Sequence, residues 1–189
     1  MKNFIKIFFI SIFCLCLAKA TPAQEQTWDE LMTQVNTLYQ QNNFAQAIET
    51  AKNAVKLAEK EFGPDKNEVA LTLNTLAYLY FKQGKNAEAE NLCKKALEIV
   101  EKISANSDET AAALNNLAEI YVAEKKYSDA ESLYKRSIDI VEKRLGPNDP
   151  YVGMVLESLA ELYQTMGRLE EAKTTLARAQ QISEKENIE

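Results

Sequence analysis

The side chains with chemistry to offer are few. Glu157 and Glu161 stand four residues apart and Glu170 and Glu171 are adjacent. Two carboxylates flanking a glycosidic bond can act as acid and base. On the helical surfaces of acidic proteins such pairs are usually solvated faces, and nothing in the sequence builds a pocket between these. Cys93 is the next candidate, but a thiol nucleophile needs an activating base. The chain has no histidine, which removes Ser-His, Cys-His and H-E-x-x-H arrangements together. Cys93 therefore reads as a small buried apolar residue. The five glycines, Gly63, Gly84, Gly146, Gly153 and Gly167, fall in no phosphate-cradling frame. The expectation is no enzyme, no cofactor and no metal.

The elements that position these residues begin after an address segment. Lys2 and Lys6 precede an apolar stretch from Ile7 to Ala18 broken only by Ser11, which ends at Ala18, Lys19, Ala20. Those are the features of a secretory signal peptide cleaved after Ala20, with Thr21, Pro22, Ala23 as a second possible exit. The run falls short of the ~20 residues that span a bilayer. Residues 1–20 are thus read as a signal peptide and 21–27 as a short lead-in, and the expected location is secreted or periplasmic, with no membrane association after cleavage. Cys14 and Cys16 lie in the removed segment, beside bulky Phe13 and Leu15 rather than the small residue that precedes a lipidated cysteine. Cys93 remains alone, so no internal disulfide can form and stability rests on packing. The mature chain keeps 19 basic and 28 acidic residues, a formal charge of −9. Nothing forms a basic patch, and a nucleic-acid partner is disfavoured.

A repeat governs the rest. The second copy reads Leu73, Leu76, Ala77, Tyr80, Gly84, Ala89, Cys93, Ala96; the third reads Leu114, Leu117, Ala118, Tyr121, Lys125, Ala130, Tyr134, Ser137. The fourth reads Leu156, Leu159, Ala160, Tyr163, Gly167, Ala172, Leu176, Ala179, and the looser first reads Leu31, Gln34, Val35, Leu38, Asn42, Ala47, Ala51, Ala54. Steps of three, one and three place the leading residues of each copy on one helical face, and steps of four and three mark a second helix. Small residues at 47, 89, 130 and 172 let the two backbones approach. Short polar turns separate the helices, with Gly84 and Gly167 suited to a left-handed helix end. Thr27 with Glu30, and Ser128 with Glu131, read as capping boxes. Eight helices follow, at about 28–41, 45–61, 67–83, 87–103, 108–124, 128–144, 150–166 and 170–185. Tyr80, Tyr121 and Tyr163 fall in a packing slot. The linker from Ile103 to Thr110 lacks Gly-Pro and is one residue short, so the joint between the second and third copies is expected to differ.

The pattern resembles the tetratricopeptide repeat. Copies of about 42 residues with Leu114, Asn115, Asn116, Leu117, Ala118, then Tyr134, Lys135, Arg136, then Leu145, Gly146, Pro147, Asn148, Asp149, Pro150 are similar to the kinesin-light-chain type. Phe62, Gly63, Pro64, Asp65 repeats the linker. The resemblance implies an all-α, right-handed solenoid over residues 28–186, with repeats at 28–66, 67–107, 108–149 and 150–186. It implies no motor activity.

The resemblance also implies a concave wall built from the first helix of each repeat. Carried over, that wall holds Asn36, Tyr39 and Gln40; Asn74, Tyr78, Phe81 and Lys82; Asn115, Glu119 and Val122; and Glu157, Glu161 and Gln164. Asparagine side chains can pair with an extended backbone, and Tyr78 and Phe81 can supply apolar contact or simply pack against a neighbouring helix. A clamp for chaperone C-termini uses Lys and Asn in one repeat, Asn in the next, and Lys and Arg in the third; those slots hold Met32, Asn36, Thr75, Ala112 and Asn116, or Asn74, Tyr78, Asn116, Met154 and Ser158, and the cationic members are missing in both frames. The expected partner is another protein, presenting a peptide or helix segment that is not acidic. Two functions stay open: a monomeric adaptor holding such a segment, and an envelope assembly part that self-associates through its ends, for which Leu176, Ala179 and Ile182 would leave an apolar strip uncovered.

Overall fold

The computed structural model describes residues 26–186; the expected signal peptide lies outside them. Eight α-helices follow one another: α1 (Trp28–Gln40), α2 (Phe44–Glu61), α3 (Asn67–Lys82), α4 (Asn86–Ile103), α5 (Asp108–Ala123), α6 (Tyr127–Leu145), α7 (Pro150–Thr165) and α8 (Leu169–Glu186). They form four helix-turn-helix repeats. Each helix packs on its chain neighbours, and α3, α5 and α7 also lie side by side. The result is an all-α solenoid with an inner layer of first helices and an outer layer of second helices.

The alanines close the joints. Ala47, Ala89 and Ala130 are 0% exposed and Ala172 is 2% exposed, which lets the two helices of a repeat meet backbone to backbone. Leu76, Leu117 and Leu159 are buried at one repeated position, whereas Gln34, their counterpart in the first repeat, is exposed. Among the described residues no helix precedes α1 to cover it, so a polar residue there faces water.

All four turns inside the repeats share one backbone geometry. Asn42, Gly84, Lys125 and Gly167 take φ of 56°, 73°, 61° and 74°. In each, the following amide bonds back to the first helix, as Lys85 N–H does to the Tyr80 carbonyl at 3.0 Å and Lys126 N–H to that of Tyr121 at 2.8 Å. These are Schellman endings. Between repeats, Gly63 and Gly146 take φ of 98° and 104°, while Ser104 in the shorter linker is extended, with φ −161°. That linker is tied differently: the Thr110 hydroxyl donates to the Ser104 carbonyl at 2.7 Å.

The capping box of Thr27 and Glu30 forms. That of Ser128 and Glu131 does not. The left-handed Lys125 turns the chain into α6 early, Lys126 becomes the N-cap with no side-chain hydrogen bond, and Ser128 sits inside the first turn. Glu131 instead meets Arg168 at 2.5 Å and Lys135 at 2.6 Å. Trp28 anchors the N-terminal end, its indole N–H donating to the Thr72 hydroxyl at 2.8 Å and its ring set edge-on to Phe62.

The apolar strip expected at the other end is mostly covered. Ala179 and Ile182 are 1% and 3% exposed, packed on α7 where Gly153 leaves room; Leu176 is half-buried. Cys93 is 1% exposed, and burial pushes its thiol up to about 12, consistent with a packing role. Tyr163 is buried. Tyr80 and Tyr121 are half-buried against the core, with lysines over their rings.

Candidate functional site

The face formed by the first helices carries two clefts. The first, of about 370 Å³, runs between α1, α3 and α5. Asn36 and Tyr39 enter it from α1, Asn74 and Tyr78 from α3, all from positions read off the sequence. The Tyr39 and Tyr78 hydroxyls lie 2.8 Å apart, with ring centroids separated by 5.5 Å. That bond raises the Tyr39 phenol above its ordinary value. Lys82 places its ammonium 4.9 Å from the Tyr78 ring centroid and 5.9 Å from that of Phe81, a cation–π arrangement. Tyr78 thus both packs on its neighbour and lines the cleft.

Two further features of this cleft bear on binding. Leu71 is 53% exposed on its wall, an apolar side chain left in water. The Asn74 carbonyl oxygen is buried and has no hydrogen-bond partner. A buried acceptor without a donor costs on the order of 1–3 kcal/mol, a cost that a donor arriving with a ligand would offset.

The second cleft, of about 320 Å³, lies between α3, α5, α6 and α7. Phe81, Glu119, Val122 and Glu161 line it. Burial raises the Glu119 carboxyl above the usual range; a hydrogen bond from Asn115 and the charge of Lys82 oppose that shift. Asn115 lies beneath the surface, 5% exposed. Its amide donates to Glu119 at 3.2 Å, and its carbonyl oxygen has no partner.

Glu157 departs from this group. It lines a smaller cleft at the C-terminal end, with Gly153, Met154 and Ile182. Gln40 joins the first cleft, and Gln164 is exposed and borders neither. Several lining residues were missed as wall positions: Leu71, Thr75, Ala112 and Asn116 in the first cleft, and Tyr134, Ser158, Leu162 and Thr165 in the second. Most follow from continuing the 3–4 step along each first helix. Tyr134 does not, because it reaches inward from a second helix. Burial, then the nearby charges of Glu119 and Glu161, hold its phenol well above the ordinary range.

A family profile described as the tetratricopeptide repeat matches residues 31–102 and 109–185. This chain is a tetratricopeptide-repeat protein. Among solved structures, BtubC (BKLC) from P. vanneervenii is similar with a TM-score of 0.76 at 22% identity, over 87% of this chain and 67% of that one. A putative kinesin light chain of Podosopora anserina with nearly identical TPR-like repeats gives 0.73 at 22% identity, over 83% and 75%. MamA gives 0.63 at 18% identity, over 86% and 81%. These likenesses establish the fold, which the chain shares with kinesin-light-chain-like structures. No curated protein matches the chain. Tetratricopeptide repeats generally mediate protein–protein interaction, and the inner face of this one carries amide, aromatic and acidic groups. Among the described residues no group of histidine, cysteine or carboxylates is placed to hold a metal, and no described helix is long and apolar enough to cross a membrane.

Proposed function

We propose that this protein is a non-enzymatic adaptor of an exported compartment, monomeric, that holds a non-acidic peptide or helix segment of another protein along its inner face. The observation carrying the reading is Asn74. It lines a cleft walled by exposed Leu71 and the Tyr39–Tyr78 pair, and its carbonyl oxygen is buried without a partner. A backbone N–H from a docked segment supplies the missing donor, and its side chains cover Leu71. The apolar run and A-x-A exit of residues 1–20 support export. The covered Ala179 and Ile182 and the polar Gln34 position favour an adaptor over stacking through the ends.

Cross-linking and affinity capture in the native compartment tests this, comparing wild type with the Asn74→Ala, Tyr78→Ala, Asn115→Ala variant, whose helicity is checked by circular dichroism. A partner held by the wild type and lost by the folded variant is the expected result. Equal capture by both moves the contact to the outer face or the ends.

A further inference from the structure

The carboxylate of the second cleft is served differently from the half-buried acids of the second helices. Along the second helices, half-buried acids are met by cations from within the chain: Glu59 by Lys95, Glu90 by Lys94 and Lys126, Glu101 by Arg136, Glu131 by Arg168, and Glu142 by Arg178. Glu119 is half-buried too, yet it receives only the Asn115 amide. Lys82, the cation whose charge acts on it, makes no ion pair with it and rests over the rings of Tyr78 and Phe81. Glu161 shares the cleft and likewise has no ion-pair partner among the described residues. The 5%-exposed Asn115 keeps an unpartnered carbonyl oxygen on the amide that meets Glu119. Both carboxylates that line the cleft, Glu119 and Glu161, are acceptors, so it asks for a donor-rich occupant. The walls add Phe81, Val122 and Leu162, which suit an aromatic-stacking head and a methylene stem.

We infer that this cleft seats an arginine side chain of the docked segment, its guanidinium paired with Glu119 and Glu161 and its stem lying against Phe81, Val122 and Leu162. The inference rests on the docking reading above and names the partner's chemistry. Arginine fits better than lysine because its rigid fork of five N–H donors serves several acceptors at once and stacks on a ring.

The test uses N-acetyl-arginine amide and its neutral isostere N-acetyl-citrulline amide, titrated into protein purified after expression of the full chain and followed by amide NMR shifts. The expected result is a saturable response at Phe81, Glu119, Ser158 and Glu161 from the arginine probe, at least tenfold weaker from citrulline, and lost in Glu119→Gln with Glu161→Gln. Because Glu161 is exposed, Glu161→Lys provides a second variant that leaves packing intact, and it too must lose the response. Equal binding of citrulline, retention in either variant, shifts scattered over the acidic surface, or spermidine binding the same resonances as tightly as arginine would each overturn the assignment. Loss of protein capture with the arginine response kept removes only the docking reading; capture kept with no arginine response removes only this one.

Discussion

Burial that raises the Glu119 carboxyl is expected to cost the fold stability at neutral pH. A carboxyl whose native pKa lies above its unfolded value ionises first in the unfolded chain. Stability therefore falls as pH rises through that window and stays reduced above it. Glu119→Gln removes the charge and keeps an oxygen for Asn115. It is expected to raise the melting temperature at pH 7 by about 2 °C, measured by calorimetry, while the arginine response disappears. A gain in stability with a loss of binding is the signature of a residue kept for its ligand rather than for packing. At this scale the sequence was informative about types and less so about neighbours. Asn74, Tyr78, Phe81 and Glu119 were reached through the family resemblance, which assigns the wall to the first helix of each repeat. Tyr134 was not, since its inward approach depends on how α6 leans on α5 and α7, a tertiary fact with no local periodicity.

The helices themselves were almost fully legible, because the same apolar steps recur four times and a repeat averages out the ambiguity of any one segment. Misreadings came where backbone geometry overrode side-chain preference. Ser128 and Glu131 have the residue types of a capping box, but Lys125 at φ 61° starts α6 one residue before Ser128, leaving Glu131 to bridge toward α8. That bridge belongs to a ladder joining outer helices through residues 36 or 37 apart, including Lys95 to Glu59, Lys126 to Glu90 and Arg178 to Glu142. Exposed pairs of this kind contribute little singly. Glu90 and Glu131 are more enclosed, each side chain 15% exposed. The Lys94 and Arg168 hydrogen bonds, foremost among several, lower each carboxyl to about 2. A depressed acid stabilises the fold above its unfolded pKa and loses that contribution as pH falls toward the native one. Thermal stability is accordingly expected to drop between about pH 4.5 and pH 2, and Glu131→Gln, measured by thermal denaturation across that range, is expected to flatten part of the drop.

For the whole molecule, composition and charge indicate an acidic helical scaffold without histidine chemistry, and they carry no information on how the ends are finished. The apolar strip anticipated at α8 is closed because Ala179 and Ile182 pack against α7 beside Gly153, a fit visible only once both helices are in place. With exposed Gln34 at one end and Ala179 and Ile182 covered at the other, multi-angle light scattering is expected to give a single protomer mass that does not change with concentration. A mass that grows on concentration would restore the self-association reading. The contact pattern has a mechanical corollary. Helices touch only those beside them in the array, and in such solenoids each repeat interacts with its neighbours alone. The first and fourth repeats are then linked through intervening joints in series, like the coils of a spring. A pull between the two ends would open the arc by small rotations shared among the joints, so the spacing of the two clefts can follow a partner's length without any helix unfolding.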